Sequence, residues 1–144
     1  MAGARIEITV DSVGPALARA AEQLGGDGLR LMLEDIGEYL LRSTRERSLR
    51  EVAPDGTPWP ALQPAYQRRK EKRKPGKAML HFDEHMLGDQ LSWQVLGETL
   101  YVGTNAVYGA VHHFGLRPWL GLSDDDHEKV EEISFARIAG MFGD

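Results

Sequence analysis

Apolar positions in the first fifty residues change period once, from two to helical. Ile6, Ile8 and Val10 alternate with Glu7 and Thr9 between Arg5 and Val10, the pattern of a strand with one buried face. Val13, Leu17 and Ala21 then fall one turn apart, which predicts a first helix capped by Asp11 or Ser12 and ended by Gly25-Gly26. Pro15 lies early enough in it to be tolerated. A second and stronger helix is predicted from about Asp27 to Leu49. Leu29, Leu33, Ile36, Leu40 and Thr44 form its stripe and Met32 widens it. Beyond Leu41 the surface turns polar, and Arg42, Arg45 and Arg50 suit the negative end of the helix dipole.

Pro54, Pro58, Pro60 and Pro64 prevent regular structure from running through Glu51 to Tyr66. Pro54-Asp55-Gly56 suits a tight turn, and Trp59 is placed to anchor this loop by burying its ring. From Leu91 to Gly103 the period returns to two. Leu91, Trp93 and Val95 precede a turn at Gly97-Glu98, and Leu100 and Val102 follow it, which predicts a β-hairpin. Asn105 is placed to cap a short helix through Val107, Tyr108 and Val111 that Gly115 stops. Ser123 to Asp126 opens a last helix, with three acids at its positive end and Asp126 in capping-box position. Its apolar stripe is read as Val130, Ile133, Phe135 or the stem of Arg137, Ile138 and Met141. The expected architecture is α+β over one domain, residues 1–144. A small, mostly antiparallel sheet packs with a long helix of the N-terminal half and a C-terminal helix, and a long basic loop lies between them.

Charge changes this picture at one place. The net charge of −5 conceals a basic run, QRRKEKRKPGK, from Gln67 to Lys77. It holds seven cations (Arg68, Arg69, Lys70, Lys72, Arg73, Lys74 and Lys77) and one acid, leaving ten basic and 21 acidic residues elsewhere. Like charges repel, so the run is expected to be mobile in isolation. It suits a solvated loop, an acidic partner surface or nonspecific, salt-dependent proximity to DNA. No recognition helix or set of stacking aromatics accompanies it, and Tyr66 is the one aromatic nearby. No window approaches the roughly 18 apolar residues of a membrane span, and the N-terminus shows no apolar signal region. With no cysteine, disulfides and thiolate metal sites are excluded. A soluble protein of the cytoplasmic side is expected.

The sharpest candidate for chemistry is HFDEH, His81 to His85, which matches the H-x-x-E-H pattern of zinc peptidases. Two histidines share a metal there only when a continuous helix carries both. Asp83 is a natural cap between them, so His81 is expected to lie outside the helix that holds His85. Glu131 and Glu132 are available as a third ligand, but nothing selects them. Adjacent His112 and His113 point about 100° apart on a helix and do not chelate one ion. No nucleophile elbow or phosphate loop occurs. The expectation is a protein that is not an enzyme and takes no cofactor.

Four stretches in order give a stronger signal: PDGTPWPAL (54–62), FDEHMLGDQLSW (82–93), YVGTNAVYGAVHHFG (101–115) and RPWLGLSDDD (117–126). Together they resemble the Mu-like phage virion morphogenesis family, the tail-completion and head–tail joining proteins of long-tailed phages. The matching positions include Pro54, Asp55, Gly56, Trp59, Gly103, Thr104, Tyr108, His112, Phe114, Gly115, Arg117, Pro118 and Trp119. The resemblance implies a structural role for these residues and no catalytic ones. It also implies a variable basic loop after the Pro-Trp motif, a homo-oligomer (a hexameric ring in the virion) and partners among neck, connector or tail proteins. The place of action would be the virion neck or tail end, after assembly in the host cytoplasm. Two departures stand out. Glu84-His85 occupies the place of the family's Thr-Gly, and Leu116 alone separates Phe114-Gly115 from Arg117-Pro118.

Overall fold

The computed structural model describes residues 3–9, 14–60, 91–104 and 118–142. In chain order these form β1 (Ala4–Ile8), α1 (Pro15–Leu49), β2 (Leu91–Leu96), β3 (Thr99–Thr104) and α2 (Asp124–Phe142). The arrangement is α+β. All strand pairs are antiparallel, in the order β1-β3-β2.

Register follows from the apolar alternation. Ile6 pairs with Val102 and Val102 with Trp93, while Ile8, Leu100 and Val95 form the next row. Each row places its side chains on one face, because a strand repeats every two residues. That face meets α1. The opposite face carries Arg5, Glu7, Gln94 and Tyr101 with the exposed Leu96, and Arg5 is stacked 4.9 Å from the centre of the Tyr101 ring. Gly97, at φ 62°, stands first in the two-residue hairpin loop, the position at which type II′ turns call for glycine.

The two helices predicted in the N-terminal half meet without a loop. Gly25 leaves the helical region (φ 69°, ψ −170°), and helix resumes at once, so α1 is two segments joined at a kink. The cap is Gly14 rather than Asp11 or Ser12. Its φ is 88°, it makes no side-chain capping bond, and Pro15 follows in the first turn. Asp11 and Ser12 lie outside the described residues, as do Val10 and Val13.

After the kink the predicted stripe is realised. Leu29, Met32, Leu33, Ile36, Leu40 and Thr44 are all buried. Burying each large apolar member stabilises by about 1.5–3 kcal/mol, enough to outweigh the weak helical preference of Gly37. Gly37 has a packing reason. A Cβ there would stand 2.7 Å from Cγ of Trp93, whose indole lies on the helix and donates to Glu38 at 2.9 Å. The helix ends when Arg50 and Glu51 turn their amides back to the carbonyls of Arg47 and Ser48, with Glu51 at φ 59°.

Two apolar clusters result among the described residues. The larger joins α1, the sheet and Val130 of α2. The smaller holds Ala4, Ala53, Trp59, Leu91, Trp119 and Leu120. Ile6 packs against both, so β1 connects them. In α2 the structure decides between the two alternatives for the stripe: Phe135 is half exposed, and Arg137, partly buried, lies on the side that faces α1 and pairs with Asp35. Phe135 is two residues from Ile133, about 200° around the helix, so both cannot face the core.

Candidate functional site

In the loop after α1, the described residues 51–60 are held by backbone hydrogen bonds. The chain turns at Pro54-Asp55, with the Gly56 amide donating to the Ala53 carbonyl at 2.9 Å. Asp55 accepts the Thr57 amide at 2.9 Å, which holds its carboxyl below the usual range. The Ala53 and Trp59 amides donate to the carbonyls of Thr57 and Glu51, both at 2.8 Å, and Val52 bridges Pro58. This miniature hairpin presents Trp59 to the small cluster. Its indole N–H donates to the Pro118 carbonyl at 2.7 Å. The first and fourth family stretches, 59 residues apart, are thereby brought together, with Trp119 fully buried beside the junction. Gly121, at φ 149°, passes against Pro54.

Beneath this junction lies a polar centre. Arg47, in the last turn of α1, and Asp126, in the first turn of α2, are 2 % and 1 % exposed, and pair at 2.9 Å. The second terminal nitrogen of Arg47 donates to the carbonyls of Trp119 at 3.0 Å and Gly121 at 3.1 Å. Asp126 also accepts the hydroxyls of Tyr39 and Ser43. It completes the predicted capping box as well: the Ser123 amide donates to Asp126 and the Asp126 amide to the Ser123 hydroxyl, each at 3.0 Å. One cation and one carboxylate therefore fasten α1, the segment 119–121 and the start of α2 to each other.

The electrostatics fit a fastener. Burial raises the Asp126 pKa, but bonds from Ser43, Tyr39 and the Ser123 amide, with the charge of Arg47, outweigh it and leave the net shift downward. Burial lowers the Arg47 pKa against the opposing pull of Asp126. The Tyr39 hydroxyl is pushed up to about 12, first by burial and then by its bond to Asp126. The shift thus favours the ionised form of Asp126, while at Arg47 the carboxylate only partly offsets the cost of burial. Nε of Arg47 is buried with no partner among the described residues.

Tyr39, Ser43 and Arg47 were not singled out by sequence reading. Their signal is i, i+4, i+8 spacing, a polar row flanking the apolar stripe that ends at Thr44. A surface groove of about 860 Å³ runs between α1 and α2, lined by Leu24, Gly28, Ile133, Ala136 and Gly140 with charged residues. Of its charged residues, Arg137 pairs with Asp35 at 2.7 Å across the groove.

Gly103 and Thr104 of the third stretch sit where β3 meets β1. A Cβ at Gly103 would overlap the Ala4 carbonyl oxygen and stand 2.7 Å from Cα of Arg5, so the close approach of β1 requires glycine. Thr104 is buried, and its carbonyl accepts the Gly3 amide at 3.1 Å. Tyr108, His112, Phe114, Gly115 and Arg117 lie outside the described residues, as do the predicted helix from Asn105, the HFDEH motif and all seven cations from Arg68 to Lys77. No cluster of three or more metal-ligating side chains occurs among the described residues. No helix there is long and apolar enough to cross a membrane.

The described residues define an α+β protein, a small antiparallel sheet backed by two helices and fastened by buried capping and ion-pair contacts. The chain belongs to the phage virion morphogenesis family, whose profile matches residues 8–139. It is similar to tail completion protein S of Escherichia phage P2, with 27% identity over 133 residues that cover 81% of this chain and 89% of the relative. No solved structure matches it. The chain is therefore a structural protein of phage virion morphogenesis.

Proposed function

We propose that this chain completes the phage tail at its neck end, as a stoichiometric ring subunit that joins tail to head. The observation that carries this reading is the family match across residues 8–139, with the likeness to a tail completion protein over most of both chains. The fastened junction supports it. Buried contacts that lock three segments without a reactive group suit a part that must hold shape under load. The subunit acts as a homo-oligomer, hexameric in the virion, against neck, connector or tail proteins, after assembly in the host cytoplasm. Residues 1–144 act as one virion-morphogenesis domain. The basic segment Gln67–Lys77 becomes ordered on assembly.

Reversing Arg68, Arg69, Lys72 and Arg73 to glutamate tests the role of that segment. Complementation of particles lacking the native chain should fail at completion, while the circular dichroism and melting of the isolated variant stay unchanged. Normal particle yield removes the segment from the mechanism. The seven cations also favour a second reading, a nonspecific DNA-binding module. A gel-shift titration of the isolated subunit at low and moderate salt decides it, since appreciable affinity that falls with salt is expected only there.

A further inference from the structure

The outward face of α2 is divided along its length. Asp124, Glu128, Glu131 and Phe135 follow at i, i+4, i+7 and i+11, so they share one side of the helix. All four are exposed, Phe135 at 50%. None of the three acids forms an ion pair among the described residues, whereas Asp126 is spent on Arg47 and Lys129 on Glu132. Among the described residues the face therefore runs from negative charge without an ion-pair partner to an exposed aromatic ring.

The chain carries the complement in the same order. Arg68 to Lys77 is basic, and Ala78-Met79-Leu80 follows directly. We propose that the outward face of α2 receives Arg68–Leu80 of a neighbouring copy, cations against the acids and the apolar triplet against Phe135. The proposal rests on the assembly reading above and names the receptor of its basic segment. Two different patches meet in such a contact, so it is heterologous. Repeated head to tail, it closes into a ring when the rotation allows. Exposed ion pairs are individually weak and screened by salt, so the contact should be salt-sensitive and strengthen when several copies engage together.

The test is zero-length carbodiimide cross-linking of the full chain, as an equal mixture of unlabelled and isotope-labelled protein at low salt. Links between isotopically different chains are expected from Lys70, Lys72, Lys74 or Lys77 to Glu128 or Glu131. The Arg68→Glu/Arg69→Glu/Arg73→Glu variant keeps every one of those reactive groups and should lose the links. Mixing it with a Glu128→Arg/Glu131→Arg variant should restore them, because the loop of the second then meets the unaltered helix of the first. Links confined to single chains, no links, or links that survive loop reversal would each overturn the proposal. Particle completion separates the two readings. If loop reversal blocks completion and Glu128→Arg/Glu131→Arg does not, the α2 receptor falls and the assembly role of the loop stands. If neither blocks it, the loop has no part in assembly.

Discussion

Replacing Asp126 with alanine removes the acceptor of four side-chain or backbone donors and leaves Arg47 charged at 2 % exposure. Breaking one side of a buried ion pair costs about 3–5 kcal/mol, because the remaining charge keeps its desolvation penalty and loses its partner. Against a typical total stability of roughly 5–15 kcal/mol, that is a large share. At about 3–4 °C per kcal/mol for a chain of this size, the melting temperature should fall by roughly 10–20 °C. Urea unfolding followed by tryptophan fluorescence is the assay, since Trp59 and Trp119 are buried in the adjoining cluster. Asp126→Asn should cost less, because it keeps an oxygen for Tyr39 and Ser43. Arg47→Met combined with Asp126→Leu should cost less than the sum of the single changes, because no charge is then stranded. The carbonyls of Trp119 and Gly121 still lose their donor, at about 1 kcal/mol each. A loss below about 1 kcal/mol for Asp126→Ala, or strict additivity in the double variant, would refute the fastening role.

The same centre sets a pH window. The depressed Asp126 pKa stabilises the fold above the unfolded value near pH 4, and this is lost as pH falls through the folded pKa. Tyr39 acts in the opposite sense: its stabilisation is present below about pH 10 and is lost between there and about 12. Melting temperature against pH should show both limbs, and Tyr39→Phe should flatten the alkaline one. Gly37→Ala should destabilise by about 1–3 kcal/mol through overpacking against Trp93 and Leu100, measured by denaturant titration. Trp59→Phe should cost about 1–2 kcal/mol by orphaning the Pro118 carbonyl. Hydrogen exchange at the amides of Ala53 and of position 59 should accelerate in that variant.

What the linear chain determines here is what depends on period and local bonding. The two-residue alternations specify β2 and β3 with their turn, because a one-residue slip would expose every apolar side chain. The 29-33-36-40-44 stripe specifies the buried face of α1, and Ser123 with Asp126 specifies the start of α2 through contacts three residues apart. Gly25 could be read as a break but not as a kink within one element, because continuation of the helix depends on what both segments pack against. The partner of Arg47 was not legible. Arg42, Arg45, Arg47 and Arg50 are alike by composition, and only the docking of α2, 79 residues later, buries one of them on a carboxylate. The choice between Phe135 and Arg137 stayed open for the same reason, since the direction from which α1 approaches α2 is a property of the packed pair. Gly103 was visible in the sequence as a motif letter. Its physical cause, a neighbouring strand too close for a Cβ, exists only once β1 lies against β3. Local periodicity thus settles which elements form, whereas long-range desolvation and steric fit decide which charges pair and which side chains face out.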